Sequence, residues 1–164
     1  MKYWKYFWTL VKHKWLVFVE CFKDGMYWQG ITHDLSKFFP DEFFPYADKF
    51  GKDVSGRRTT EEEDVRFERA AMIHKRRNRH HWEYWVTLSM HKDLGVRIHV
   101  FNIPKKYRLE MLNDWRGASK SYVNGEDVLI WYAKNSPNMI LHASTRIFIE
   151  RDLGIDDLLK CGGR

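Results

Sequence analysis

The chain has 164 residues, 44% of them hydrophobic and 16% aromatic, and carries a formal net charge of +6. This length suits one domain, and this apolar content excludes a disordered chain. Its two cysteines, Cys21 and Cys161, form no CxxC pair, which excludes a zinc knuckle and a disulfide scaffold. A basic balance favours anionic partners such as a phosphate, a nucleotide or nucleic acid, although the same charge also serves solubility.

The opening "MKYWKYFWTLVKHKWLVFVECF" predicts a helix over 3–23, stopped by Gly25. Lys2, Lys5, Lys12 and Lys14 interrupt it and Glu20 follows, so no apolar run is long enough to cross a bilayer. A core helix with snorkelling lysines is the preferred reading, and an interfacial helix is the alternative. With no small-residue cleavage site, a cytoplasmic setting without a membrane partner is expected. A short helix follows over 26–34, and Pro40 opens another over 40–50, with Asp41 and Glu42 in its first turn. Residues 51–60 form a polar loop. Thr60 before "EEED" starts a helix expected to run to about 85, bending near Asn78. Residues 86–101 alternate apolar and polar, which reads as one small hairpin turning at Leu94–Gly95 or equally as irregular loop. Pro104 opens the next helix, expected to stop near Asn124–Gly125, and two more cover 126–134 and 139–153. The "CGGR" end is expected to fray. The fold class is therefore all-α, a helical bundle with at most one hairpin, in a single domain over 1–160.

Imidazole and carboxylate groups recur on four of these helices. His13 lies on the first, the His33–Asp34 doublet ends the second, and "HKRRNRHH" carries His74, His80 and His81. Glu110 and Asp114 follow at i,i+4, one face of the "YRLEMLNDW" helix. Mixed imidazole and carboxylate donors suit Mn, Fe, Co, Zn or Ni, and bundle sites take their ligands from facing helices. His74 and His81 share a face of an unbroken helix, whereas His80 points about 120° away. A break near Asn78 would favour His80, so either stays open as the ligand. His91, His99 and His142 are expected to have no metal role. The run "HKRRNR" reads as a solvated basic face. Trp82, Tyr84 and Trp85 read as core, and Trp115 as core or pocket wall.

"VKHKWLVFVECF" and "YWQGITHDLSKF" resemble the opening of the HD-domain metal-dependent phosphohydrolase superfamily. His13, His33–Asp34 and Asp114 follow that superfamily's order of ligands, and "THDLSKF" is similar to its pattern of an apolar residue, His-Asp and a lysine. More narrowly, "HDLSKF", "HHWEYW" and "EMLNDW" look like a bacterial and phage family of HD-like proteins. The resemblance covers roughly residues 10–116. It implies an HD-like bundle that binds one or two divalent metal ions and hydrolyses a small phosphoester, most simply a nucleotide. His13, His33, Asp34, His74, His80 or His81 and Asp114 would be ligands, with Asp34 bridging. Lys37, Arg76, Arg77 and Arg79 would contact phosphate. Glu42 and Glu110 would act as general base or as acceptors from a ligand imidazole. A di-iron oxygenase on the same scaffold and a non-catalytic basic binding protein are the alternatives.

Overall fold

The computed structural model of the chain describes residues 1–51, 60–93, 95–121 and 126–155. Among them are seven α-helices and one two-stranded sheet. The expected loop over 51–60 lies almost wholly outside the described residues. So do the helix stop at Asn124–Gly125, Leu94 of the hairpin turn, Cys161 and the "CGGR" end.

Helix α1 spans Lys2–Lys23 and ends where Gly25 turns the chain at φ +70°. Helix α2 is a single short run, Tyr27–Thr32, and a 3-10 turn at Leu35–Phe38 links it to α3, Pro40–Phe50. Pro40 sits where a missing N–H costs nothing. Helix α4, Glu61–Arg77, opens with a capping box: the Thr60 hydroxyl accepts from Glu63 N and the Glu63 carboxylate accepts from Thr60 N.

The sequence predicts that α4 runs on to about 85, and this is corrected. The helix stops at Arg77 because Asn78 turns extended, at φ −111° and ψ 110°. Its side-chain amide donates to the His74 carbonyl at 2.9 Å and to Ser36 Oγ at 2.9 Å. A side chain that satisfies the orphan carbonyl removes the incentive for another helical turn. The chain then doubles back through His80 and His81 into a 3-10 turn at Trp82–Trp85.

The hairpin forms as expected, with β1, Val86–His91, antiparallel to β2, Gly95–Val100, and Leu88 opposite Ile98. Helix α5, Lys105–Ser121, follows Pro104. Helix α6, Val128–Asn135, is capped by Asp127. Helix α7 begins at Ala143, later than the predicted 139, because His142 Nδ1 accepts from Ser144 N and sets the cap there.

Three apolar clusters hold these elements. The largest gathers Ile103, Met111, Leu112, Tyr132, Met139 and Ile149, with Trp82, Trp85, Trp115 and Trp131 packed on it. Tyr6, Leu10 and Ala47 tie α1 to α3, and Val17 and Cys21 of α1 pack with Met26 at the start of α2. Helices α1 and α5 lie close because Gly117 has no side chain: a Cβ there would fall 2.6 Å from Val17 Cγ2. No described helix is long and apolar enough to cross a membrane.

Candidate metal centre

The α1–α5 contact brings His13 against Asp114, with Nε2 to Oδ1 at 3.1 Å. Between these helices comes the end of α2, where His33 caps the helix and Asp34 follows in the left-handed region at φ +52°. It is the only non-glycine residue with positive φ among those described. Such backbone is uncommon outside glycine and asparagine, and it aims the carboxylate inward rather than along the chain. His33 and Asp34 are 1% and 0% exposed.

The break at Asn78 supplies the other side. His74 Nε2 lies 3.2 Å from Asp34 Oδ1, and His80 Nε2 lies 3.4 Å from the same oxygen. His81 Nε2 is 2.8 Å from His74 Nε2. The other Asp34 oxygen, Oδ2, faces His33 Nε2 at 3.5 Å and His13 Nε2 at 3.9 Å. The two oxygens of one carboxylate thus divide the histidines between them.

Three ligand groups result, with donor atoms within 4.8 Å of one another: Asp34 with His74, His80 and His81; His13 with His33 and Asp34; and His33 with His80 and Asp114. The choice between His80 and His81 dissolves, because the break lets both converge. Four buried atoms at this point lack hydrogen bonds, namely Nε2 of His33 and of His80 and both oxygens of Asp34. Lys37 Nζ reaches Asp34 Oδ2 at 2.6 Å as an ion partner, outside hydrogen-bonding geometry. Buried polar atoms left in this way are costly unless something binds them, and this nitrogen and oxygen donor set fits a divalent transition metal.

The outer imidazole nitrogens are held by carboxylates. His74 Nδ1 meets Glu42 Oε2 at 2.8 Å, and Glu110 Oε1 lies 3.4 Å from His33 Nδ1 and 3.3 Å from His80 Nδ1. With Nδ1–H donating outward, each Nε2 keeps its lone pair facing inward. Ser36 Oγ and Arg77 Nη1 fix Glu42 in turn, at 2.9 and 2.8 Å.

Charge in the protein alone is balanced by protons. Burial pushes the Asp34 carboxyl up, but His33, Lys37 and His74 together hold it well below its ordinary value. Burial would lower His80, yet its contacts with Asp34 and Glu110 raise it to about 10. His81 falls well below the usual imidazole value through burial and the nearby His80 and His74.

Of the arginines expected at phosphate, Arg77 is taken up by Asp41 and Glu42, and Arg79 donates to the Tyr107 hydroxyl. Arg76 is exposed on α4, and none of the three lines the cavities beside the centre. One cavity, of about 580 Å³, is walled by Trp82, Trp115 and Trp131 and includes His81 and Asp114. The other, of about 330 Å³, includes His13, Lys37, Tyr46 and the same Asp114. Sequence reasoning missed Ser36, Trp131 and the α6 wall, which carry no local signature. The sequence shows Asn78 as a bend and gives no sign that it brings the candidate ligands together. His99 and His142 stand apart from the three groups.

The model of a family of unknown function, DUF5662, matches residues 2–154. The chain belongs to this family. No curated protein and no solved structure matches it. The DUF5662 match runs through every element that contributes a candidate ligand, from α1 to α5.

Proposed function

We propose that the chain is a metal-dependent phosphohydrolase acting on a nucleotide or another small phosphoester. The observation that carries this reading is the division of Asp34: Oδ1 faces His74 and His80, while Oδ2 faces His13 and His33. That is the donor arrangement of two ions sharing one carboxylate, and it supports the resemblance to the HD-domain superfamily drawn from sequence.

His74, His80 and His81 would hold one ion, His13, His33 and Asp114 the other, and Asp34 both. A bound divalent ion supplies a water of lowered pKa and a Lewis acid for a phosphoryl oxygen. The chain's own residues set the rest. Glu42 and Glu110 orient the imidazoles. Lys37, buried against Asp34 and lining the smaller cavity, would meet a phosphate oxygen. Trp82, Trp115 and Trp131 offer flat apolar faces to the rest of the substrate.

The test has two stages. Elemental analysis should find bound transition metal in the wild type and a loss of it in His33→Ala. Metal-loaded protein, with Mn²⁺, Co²⁺ or Mg²⁺ added, should then release phosphate or nucleoside from a member of a nucleotide panel, and Asp34→Asn should not. Metal without hydrolysis, but with oxygen uptake and a mixed-valent iron signal, would transfer the site to the oxygenase reading, which the same donor set suits.

A further inference from the structure

We infer that the outer face of α1 is a membrane-docking surface that seats on anionic lipid headgroups. Trp4, Trp8, Trp15 and Phe22 recur at i, i+4, i+11 and i+18 and so fall in one row along the helix. They are 65%, 52%, 63% and 56% exposed. The opposite side of the same helix carries the core residues Tyr6, Leu10, Val17 and Cys21. Helix α1 is therefore apolar on both sides, and among the described residues only one side is packed against the fold.

The row continues onto neighbouring elements. Phe22 meets Tyr27 at 4.9 Å between ring centres, and Trp28 and Ile31 of α2 are exposed beyond it. At the other end, Trp4 stacks on Phe7, which meets Phe38 of the 3-10 turn at 6.1 Å. Single exposed apolar residues are ordinary, but two groups of touching rings in one row, Trp4–Phe7–Trp8 and Trp15–Phe18–Phe22, mark a surface that something covers.

Charge identifies the cover. Helix α1 holds five lysines against the single Glu20, a net +4 of the chain's +6. By helical periodicity Lys5 and Lys12 lie about 100° to one side of the row and Lys14 about 80° to the other, whereas Lys23 is paired with Glu20 and Lys2 with Asp48. Lys12 donates to the Ser121 carbonyl, and Lys14 donates to the Ile31 and His33 carbonyls. Glu20 and Asp34 are buried, and the outward row contains no acid. Rings in the middle with Lys5 and Lys12 along one flank match the interface of an anionic bilayer. A second copy is the poorer occupant, because it would set one basic face against another. This inference revises the expectation that no membrane takes part and revives the interfacial alternative for the first helix. It is independent of the proposed hydrolase: His13 lies about 180° from the row, so docking leaves the metal centre uncovered.

The test is co-sedimentation of the full chain with vesicles of phosphatidylcholine alone and of phosphatidylcholine with phosphatidylglycerol, followed by tryptophan emission. Binding should be roughly tenfold or more tighter on the anionic vesicles, with a blue shift, and should weaken at high salt. A Trp4→Ser/Trp8→Ser/Trp15→Ser variant should lose at least roughly tenfold in partition while keeping its helical signal and its metal content. Lys5→Gln/Lys12→Gln should weaken anionic binding by about fivefold per charge. Three results would overturn the inference: no sedimentation with anionic vesicles, equal binding by the triple variant, or a concentration-dependent dimer in light scattering that the triple variant loses.

Discussion

Glu42 Oε2 lies 2.8 Å from His74 Nδ1, deep in the protein where both side chains are almost fully enclosed. The contact fixes the imidazole so that Nε2 faces Asp34. Substituting Glu42→Gln keeps the shape but weakens the acceptor and frees Arg77 from one of its two carboxylates. Metal affinity should fall by about 10- to 100-fold, the usual effect of losing a carboxylate that orients a ligand histidine. A chelator competition titration measures this. Unchanged affinity with an intact circular dichroism spectrum would remove Glu42 from the site.

Asp34 allows a cleaner separation of backbone from chemistry. At φ +52° the residue sits where asparagine is tolerated and alanine is strained. Asp34→Asn and Asp34→Ala should both reduce bound metal to background, since each removes the carboxylate that faces four imidazoles. Alanine should cost about 1 kcal/mol more in the unfolding free energy of the metal-free protein. The comparison needs metal analysis and urea unfolding of the two variants side by side. A wild-type metal stoichiometry in Asp34→Asn would contradict the shared role of this residue.

Much of this arrangement was legible from local signals. Periodicity and proline placed α1 and α3, and alternation placed the hairpin. Imidazole and carboxylate groups recurring on four predicted helices mark the residues that surround Asp34. What local signals could not show were effects of tertiary origin. Helix α4 ends at Arg77 because the Asn78 amide finds both the His74 carbonyl and Ser36, and Ser36 is far away in sequence. That one break decides how many histidines reach Asp34. The tryptophan walls come from α5, α6 and a 3-10 turn that carry no shared motif. The first helix read as a core helix, and half of that reading was sound. A period of 3.6 cannot tell which of two apolar faces the fold will cover.

Gly117 couples stability to the site. A methyl group there would lie 2.6 Å from Val17 Cγ2 and 2.9 Å from Val17 N, and the backbone atom cannot step aside. Gly117→Ala should therefore push α1 from α5 and destabilise the fold by about 1–3 kcal/mol, despite the better helix propensity of alanine. The same displacement opens the 3.1 Å contact between His13 and Asp114. Binding at the His13 and His33 side should weaken more than at the His74, His80 and His81 side, and a two-site metal titration would resolve the two. A Val17→Ala change in the same chain should restore part of the loss, because it removes one of the two clashes.

Glu20 gives a prediction in pH. It is 7% exposed, and its Oε1 accepts from Lys120 Nζ at 2.6 Å and Lys23 Nζ at 2.8 Å, so it pins the end of α5 to α1. Burial alone would raise its pKa, but the two lysine hydrogen bonds prevail and leave it below its ordinary 4.5. A carboxyl group whose folded pKa is depressed stabilises the fold above the unfolded value and loses that contribution as the pH falls through the folded value. The stability difference between wild type and Glu20→Gln should thus be constant from neutral pH down to about 4.5 and shrink below it. Other acidic groups destabilise both proteins alike, so the quantity to follow is the gap between their urea midpoints across a pH series. A gap that persists unchanged into acid would show that the Glu20 carboxylate does not carry the α1–α5 link.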